Sequence, residues 1–211
     1  MSTDPASAST SAAGLVPVAP LAHAARGPHG APAVPPGVVV SIAGIGTRVL
    51  IEAYRSRAAE AAAVLEAAIG VAPPAGPTTA ATDEIAIFGV APGRWHAVAA
   101  KADPGLVDRL ATALAGRAAV IDVSYGFAVV RLAGPKVRDM LGKLVSIDLD
   151  AAAFPPGAVA QTEMHTLSVQ IRRLAGDDRF EATVSASYAE SFLEAFVMAG
   201  AAYGVVVDDA A

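Results

Sequence analysis

The chain has 211 residues, with 15 Lys plus Arg against 20 Asp plus Glu, a formal net charge of −5 and no cysteine. It is long enough to bury a sizeable core, as one domain or two small ones. The cysteine count excludes a disulfide scaffold, a cysteine-ligated zinc or iron–sulfur protein and a thiol enzyme, and the acidic balance argues against a binder of nucleic acid or of anionic membranes. The hydrophobic fraction of 54% is carried by 51 alanines, whereas aromatics make up only 5%. A spanning helix needs about 20 predominantly apolar residues. Stretches 37–53 and 58–72 are broken by Arg48 and Glu52, and by Glu60 and Glu66. No Arg- or Lys-led start with an apolar region opens the chain, so a cytoplasmic location with no membrane partner is expected.

Residues 1–36 are rich in Ala, Ser, Pro and Gly. Such a segment buries too little surface to offset its ordering entropy, so 1–36 is expected as a disordered or extended arm and 37–211 as the folded domain. Val38 to Ile42 reads as a strand, Gly44-Ile45-Gly46 as a hairpin turn, and Thr47 to Ala53 as the returning strand. Ala61, Val64, Leu65, Ala68 and Ile69 share one helical face, which Gly70 and Pro73-Pro74 stop. Residues 73–83 read as a loop. Ile85 to Gly89 and Trp95 to Ala99 read as a hairpin. Asp103-Pro104 predicts a helix start with Asp as its cap, carrying Leu106, Val107, Leu110 and Leu114, with Gly116 as the stop. Ala119 to Val123 closes a strand-helix-strand-strand-helix-strand order, the split βαβ or ferredoxin-like unit.

The order recurs. Phe127 to Leu132 reads as a strand, then Val137, Met140, Leu141 and Leu144 as a helical stripe. Leu167, Val169 and Ile171 alternate with Ser168, Gln170 and Arg172, the pattern of a half-buried strand. Phe180 to Val184 follows. Ser187-Tyr188-Ala189-Glu190 matches a capping box ahead of a helix with Phe192, Leu193 and Phe196 on one face, and Val205 to Val207 adds a last strand. The expected fold class is α+β, with two ferredoxin-like split βαβ units sharing or abutting sheets.

Motifs for chemistry are sparse. His23 and His29 fall in the arm, while His96 and His165 fall in predicted strands as partly exposed residues; none has helical metal-ligand spacing, so no metal site is expected. No nucleophile elbow occurs. Asp122 and Ser124 share one face of a strand end, as the start of a site or, more often, as a pair making turn hydrogen bonds. Gly44-Ile45-Gly46 is too short for a dinucleotide loop. Arg172-Arg173 with Arg179 is the densest basic spot and, without interleaved aromatics, reads as a solvated hairpin rather than a nucleic-acid site. Trp95 is either an interface anchor or a core plug.

From residue 92 onward the motif order resembles the gamma subunit of heterotetrameric sarcosine oxidase, a family related to the folate-binding aminomethyltransferase fold. The resemblance rests on Pro92-Gly93-Arg94-Trp95, on Asp122-Val123-Ser124, on Leu132-Ala133-Gly134-Pro135, and on Val137-Arg138-Asp139-Met140-Leu141-Gly142-Lys143. It continues through Ile147-Asp148-Leu149, Phe154-Pro155-Pro156-Gly157, Gln161-Thr162 and the final helix. Ala91, Phe127 and Ala186 depart from the family's usual Gly, Arg and Arg. Trp95, Ser124, Gly134, Pro135, Phe154, Gly157 and Gln161 are the motif and interface residues it marks. It implies a body like an aminomethyltransferase folate-binding domain, in a structural subunit with no catalytic residues and no cofactor of its own. The partners would be alpha, beta and delta subunits that carry FAD, FMN, NAD, tetrahydrofolate and zinc. The complex would demethylate sarcosine to glycine and pass the one-carbon unit to tetrahydrofolate.

The departures also admit a related N-methyl amino acid oxidase. A stand-alone folate-binding one-carbon protein is the second reading, for which Asp122 and Asp148 are the carboxylates that would meet a pterin. Folate-dependent iron–sulfur assembly proteins of the same fold carry a Cys-containing motif. The corresponding Pro156 to Glu163 keeps a Gly and a Gln but no Cys. A catalytic aminomethyltransferase is expected to run well past this length.

Overall fold

A computed structural model describes residues 18–33 and 35–210, and these form two sheets, each with helices on one face. The smaller sheet holds β3 (Arg48–Ala53), β4 (Thr79–Ala81), β5 (Ile85–Ala91), β6 (Arg94–Ala99) and β7 (Ala118–Asp122) in the order β4-β5-β6-β3-β7. Its helices are α1 (Ala58–Ile69) and α2 (Leu106–Ala113). Leaving out the short β4, this is the expected ferredoxin-like unit. Val49, Ile51, Ile87 and Trp95 on one face of the sheet meet Leu65, Ile69, Leu106 and Leu110 from the helices in one core.

The larger sheet runs β1 (Gly27–His29), β12 (Val205–Asp209), β2 (Val38–Ile42), β8 (Phe127–Ala133), β11 (Phe180–Ser185), β10 (Leu167–Arg173), β9 (Val159–Met164). Its helices are α3 (Val137–Leu141) and α4 (Ala189–Gly200), and Met140, Leu141, Phe192 and Phe196 join Val40, Val130, Ile171 and Phe180 in a second core. The second split βαβ unit is present, with β2 inserted into it, parallel to β12 and antiparallel to β8.

Each sheet thus spends its apolar face on its own helices, and the remaining faces meet each other. The Thr79 N–H donates to the Gly157 carbonyl and the Val159 N–H to the Pro77 carbonyl, both at 2.8 Å. These bonds stitch the two sheets together along one edge.

The structure corrects several expectations. Val38–Ile42 and Arg48–Ala53 are not a hairpin: Gly44 to Gly46 carries the chain from one sheet to the other. The apolar alternation of β2 fits the larger core, and β3 has the smaller one to fill. The arm is ordered where it is described. Gly27 to His29 pair with Val207 to Val205, Leu21 is buried, and Arg26 reaches Asp209 at 2.7 Å. Residues 1–17 lie outside the described residues. Low local hydrophobicity did not leave 18–33 unstructured because an open strand edge supplied backbone partners.

One of the two expected caps is absent. Asp103 does accept the Gly105 N–H with its side chain, at the turn that leads into α2, and it pairs with Arg109; regular α2 begins at Leu106. Ser187 sits in a 3₁₀ turn and makes no capping bond to α4. His165 is a turn residue between β9 and β10, at φ 55°, rather than a strand residue. β10 alternates as expected but is not half-buried, because Gln170 and Arg172 are covered by the opposite sheet.

Candidate functional site between the sheets

The facing surfaces of the sheets carry polar side chains that strand alternation sets opposite the cores. Arg172 and Glu181 are direct partners on β10 and β11, and Glu181 and Arg131 on β11 and β8. From the smaller sheet, Arg48 on β3 and His96 on β6 enter the same layer. Glu181 is 6% exposed, Arg48 5% and His96 7%.

Glu181 is the hub. Arg172 donates to its Oε1 from Nη2 at 2.7 Å and from Nε at 3.2 Å. Arg48 Nη2 stands 3.6 Å from the same oxygen, and Arg131 Nε 3.9 Å from Oε2. One carboxylate therefore serves three guanidiniums, and the layer holds an excess of positive charge. Aromatic faces absorb part of it: Arg172 lies 4.2 Å from the Phe88 ring centre, and Arg48 lies 5.5 Å from that of Phe127. Such cation–π contacts gain strength where water is excluded.

Burial pulls the Arg48 guanidinium down to about 10, partly countered by Glu181 and reinforced by Arg172. It remains a cation at neutral pH. His96 stacks on Phe88 with ring centres 5.5 Å apart and meets Phe127 edge-on at 5.6 Å. Burial first, then the charges of Arg48, Arg94 and Arg172, lowers its pKa to about 3, so its imidazole is neutral. Two polar atoms of the layer have no hydrogen-bond partner, Arg48 Nη1 and His96 Nδ1.

Two cavities open on either side of Arg48. One, about 240 Å³, lies against Gly44, Gly46, Ser124, Arg131 and Glu181. The other, about 430 Å³, lies against His96, Phe127, Gln161, Gln170 and Thr183. A cation, a neutral imidazole and amide and hydroxyl groups can bind and orient hydrogen-bond acceptors there.

The residues singled out from sequence separate into two groups. Ser124 and Gln161 reach these cavities. Ser124 Oγ accepts the Arg48 N–H at 3.0 Å and donates to Asp122 Oδ1 at 2.6 Å, so the Asp122–Ser124 pair makes turn hydrogen bonds. The others build the frame. Trp95 plugs the helix-side core of the smaller sheet and donates from Nε1 to the Pro74 carbonyl at 2.8 Å. Gly134, at φ 116°, passes against the backbone of Gly37, and Pro135 is exposed ahead of α3. Phe154 stacks on Phe180, and its carbonyl accepts from Arg173 Nη1 at 2.8 Å. Gly157, at φ 88°, makes the turn that carries the inter-sheet stitch. Asp148 is exposed and accepts the Asp150 N–H at 2.9 Å.

Arg172 and Arg173 are buried, not a solvated hairpin, because one pairs with Glu181 and the other with the Phe154 carbonyl. His96 is likewise buried rather than partly exposed. Sequence reading missed Arg48, Gln170, Glu181 and Thr183. The available signal was a row of charged residues at alternate positions in strands whose other face is already apolar.

The fold has relatives of known structure. One chain of the heterotetrameric sarcosine oxidase from Corynebacterium sp. U-96, solved in complex with pyrrole 2-carboxylate, superposes with a TM-score of 0.76 and 23% identity over 89% of this chain and 96% of that one. The glycine cleavage system aminomethyltransferase T from Bartonella henselae superposes with a TM-score of 0.56 and 16% identity over 82% of this chain and 48% of that one. No curated protein matches the sequence. The family model described as GCVT N-terminal domain matches residues 75–207, which takes in β5 to β8, the β9–β11 meander and α4. With more than half of its length matched, the chain belongs to the GCVT N-terminal domain family.

Proposed function

We infer that this chain is a gamma-type structural subunit of a heterotetrameric sarcosine oxidase or a related N-methyl amino acid oxidase. Its partners are alpha, beta and delta subunits, on which FAD, FMN, NAD, tetrahydrofolate and zinc reside. Among the described residues no helix is long and apolar enough to cross a membrane.

The observation that carries the reading is the extent of the structural likeness. It runs through 96% of a chain from an oxidase complex but through only 48% of the aminomethyltransferase. The chemistry of the inter-sheet layer agrees. A pterin ring presents an amidine-like edge that a buried carboxylate would receive in a paired hydrogen bond. Glu181 is committed to three arginines, Asp122 to Ser124, and Asp148 faces solvent. With these three carboxylates so placed, tetrahydrofolate is assigned to a partner subunit in this reading.

Co-expression with large flavoprotein subunits and purification through a tag on this chain tests the reading. A yellow, flavin-containing complex is expected. Recovery of the free, colourless chain alone would overturn it.

A further inference from the structure

The larger inter-sheet cavity has features that the structural role does not use. Its polar end is formed by Arg48, His96, Gln170 and Thr183, all more than nine-tenths buried. Two of these side chains carry a polar atom with no partner, Arg48 Nη1 and His96 Nδ1. A buried donor left without an acceptor costs about 1–3 kcal/mol, more when charged, so native proteins rarely keep one without a reason. Arg48 Nη1 and His96 Nδ1 are both shut off from solvent, so they mark the layer beside the cavity as polar and under-satisfied without themselves facing the open volume.

The cavity's charge is one-sided. Arg48 and Arg94 line it, and among the described residues no carboxylate does. Glu181 lies on the other side of Arg48, in the smaller cavity, and Glu52 pairs with Arg94 at 3.7 Å outside the lining. The rest of the wall sets the Phe127 ring and Val90 beside Gln161, Ser168 and Ser185. A volume of about 430 Å³ lies in the range of small-ligand sites.

We propose that this cavity binds a small organic carboxylate, its carboxyl group on Arg48 and its apolar body against Phe127. A guanidinium matches a carboxylate in planar geometry, and Arg48 Nη2, 3.6 Å from Glu181 Oε1, is not hydrogen-bonded to it and keeps its capacity to donate. Gln170 and Thr183 offer further hydrogen bonds. The Phe127 ring favours an organic acid over an inorganic anion, and the volume leaves room for its body. The site belongs to this chain alone, so it stands whether or not the chain joins an oxidase complex.

The test uses the full chain, purified, with sodium benzoate as the probe. Calorimetry is expected to show one site, with benzamide at least about tenfold weaker because it lacks the charge that Arg48 receives. In NMR titration the Arg48 Nε–H and the His96 ring signals should shift in step with saturation. Arg48→Met should abolish binding. Because that variant removes a buried charge and could unfold, Thr183→Val serves beside it, with an expected loss of about three- to tenfold for one hydrogen bond in a folded protein. The proposal is overturned if benzamide binds as well as benzoate, if inorganic phosphate binds equally well, or if the Arg48 and His96 signals stay still at saturating benzoate.

Discussion

Arg172 Nη2 lies 2.7 Å from Glu181 Oε1, between two sheets that shut both side chains away from water. The pair is the electrostatic centre of the molecule, since Arg48 and Arg131 lean on the same carboxylate. Buried ion pairs add little to stability over well-packed apolar groups, but breaking one leaves an uncompensated charge. Glu181→Gln keeps the volume and removes the charge that three guanidiniums share. It should cost about 3–5 kcal/mol in urea unfolding. Arg172→Met combined with Glu181→Leu should cost less than Glu181→Gln alone. Equal losses would mean that packing, not charge, holds the layer.

His96 predicts a pH dependence. Its pKa is lowered from 6.5 to about 3 in the folded chain. Between those values the unfolded chain binds a proton that the folded chain refuses, so the contribution is fully present above about pH 6.5. It is lost as pH falls toward 3, at up to about 1.4 kcal/mol per pH unit. Urea midpoints measured at steps from pH 7.5 down to 4 should fall accordingly. His96→Phe, which can keep the stack on Phe88, should flatten this part of the profile.

Gly134 tests one of the motif positions. A Cβ there would come 2.5 Å from the Gly37 carbonyl oxygen, at a φ of 116° that side-chain-bearing residues rarely adopt. The glycine lets β8 leave the sheet beside the start of β2. Gly134→Ala should lose at least about 2 kcal/mol, read as a drop in thermal midpoint. A neutral result would show that this crossing relaxes freely.

The parts of the fold legible in the sequence are those governed by local pattern. The stripe Val64–Leu65–Ala68–Ile69 gave α1, and the 3.6 period through Phe192 and Phe196 gave α4, because one apolar face suffices to define a helix. The unread parts depend on distant chain. β2 and β3 looked like a hairpin because nothing within Gly44-Ile45-Gly46 says that the strands enter different sheets. β10 looked half-buried because alternation identifies a polar face without saying what covers it. The site suffered most: Arg48, His96 and Glu181 are far apart in sequence, and only the apposition of the sheets makes them neighbours. Ser124 and Gln161 were found through the family's motif order. Their place at the cavities follows from the fold.

The segment before β2 gives the last prediction. Composition marks it as an arm, yet Leu21 is 3% exposed within the core of the larger sheet, and β1 closes the edge of β12. If the segment is integral, Leu21→Ala should cost about 2–3 kcal/mol, as for other buried leucines. If it is only draped over the surface, the cost should stay within about 0.5 kcal/mol. A second consequence separates packing from edge protection. Gly27 to His29 occupy the backbone groups of Val205 to Val207, and an uncovered edge strand is a template for pairing with another chain. A chain lacking residues 1–30 should therefore self-associate in light scattering at concentrations where Leu21→Ala stays monomeric, because only the deletion uncovers β12.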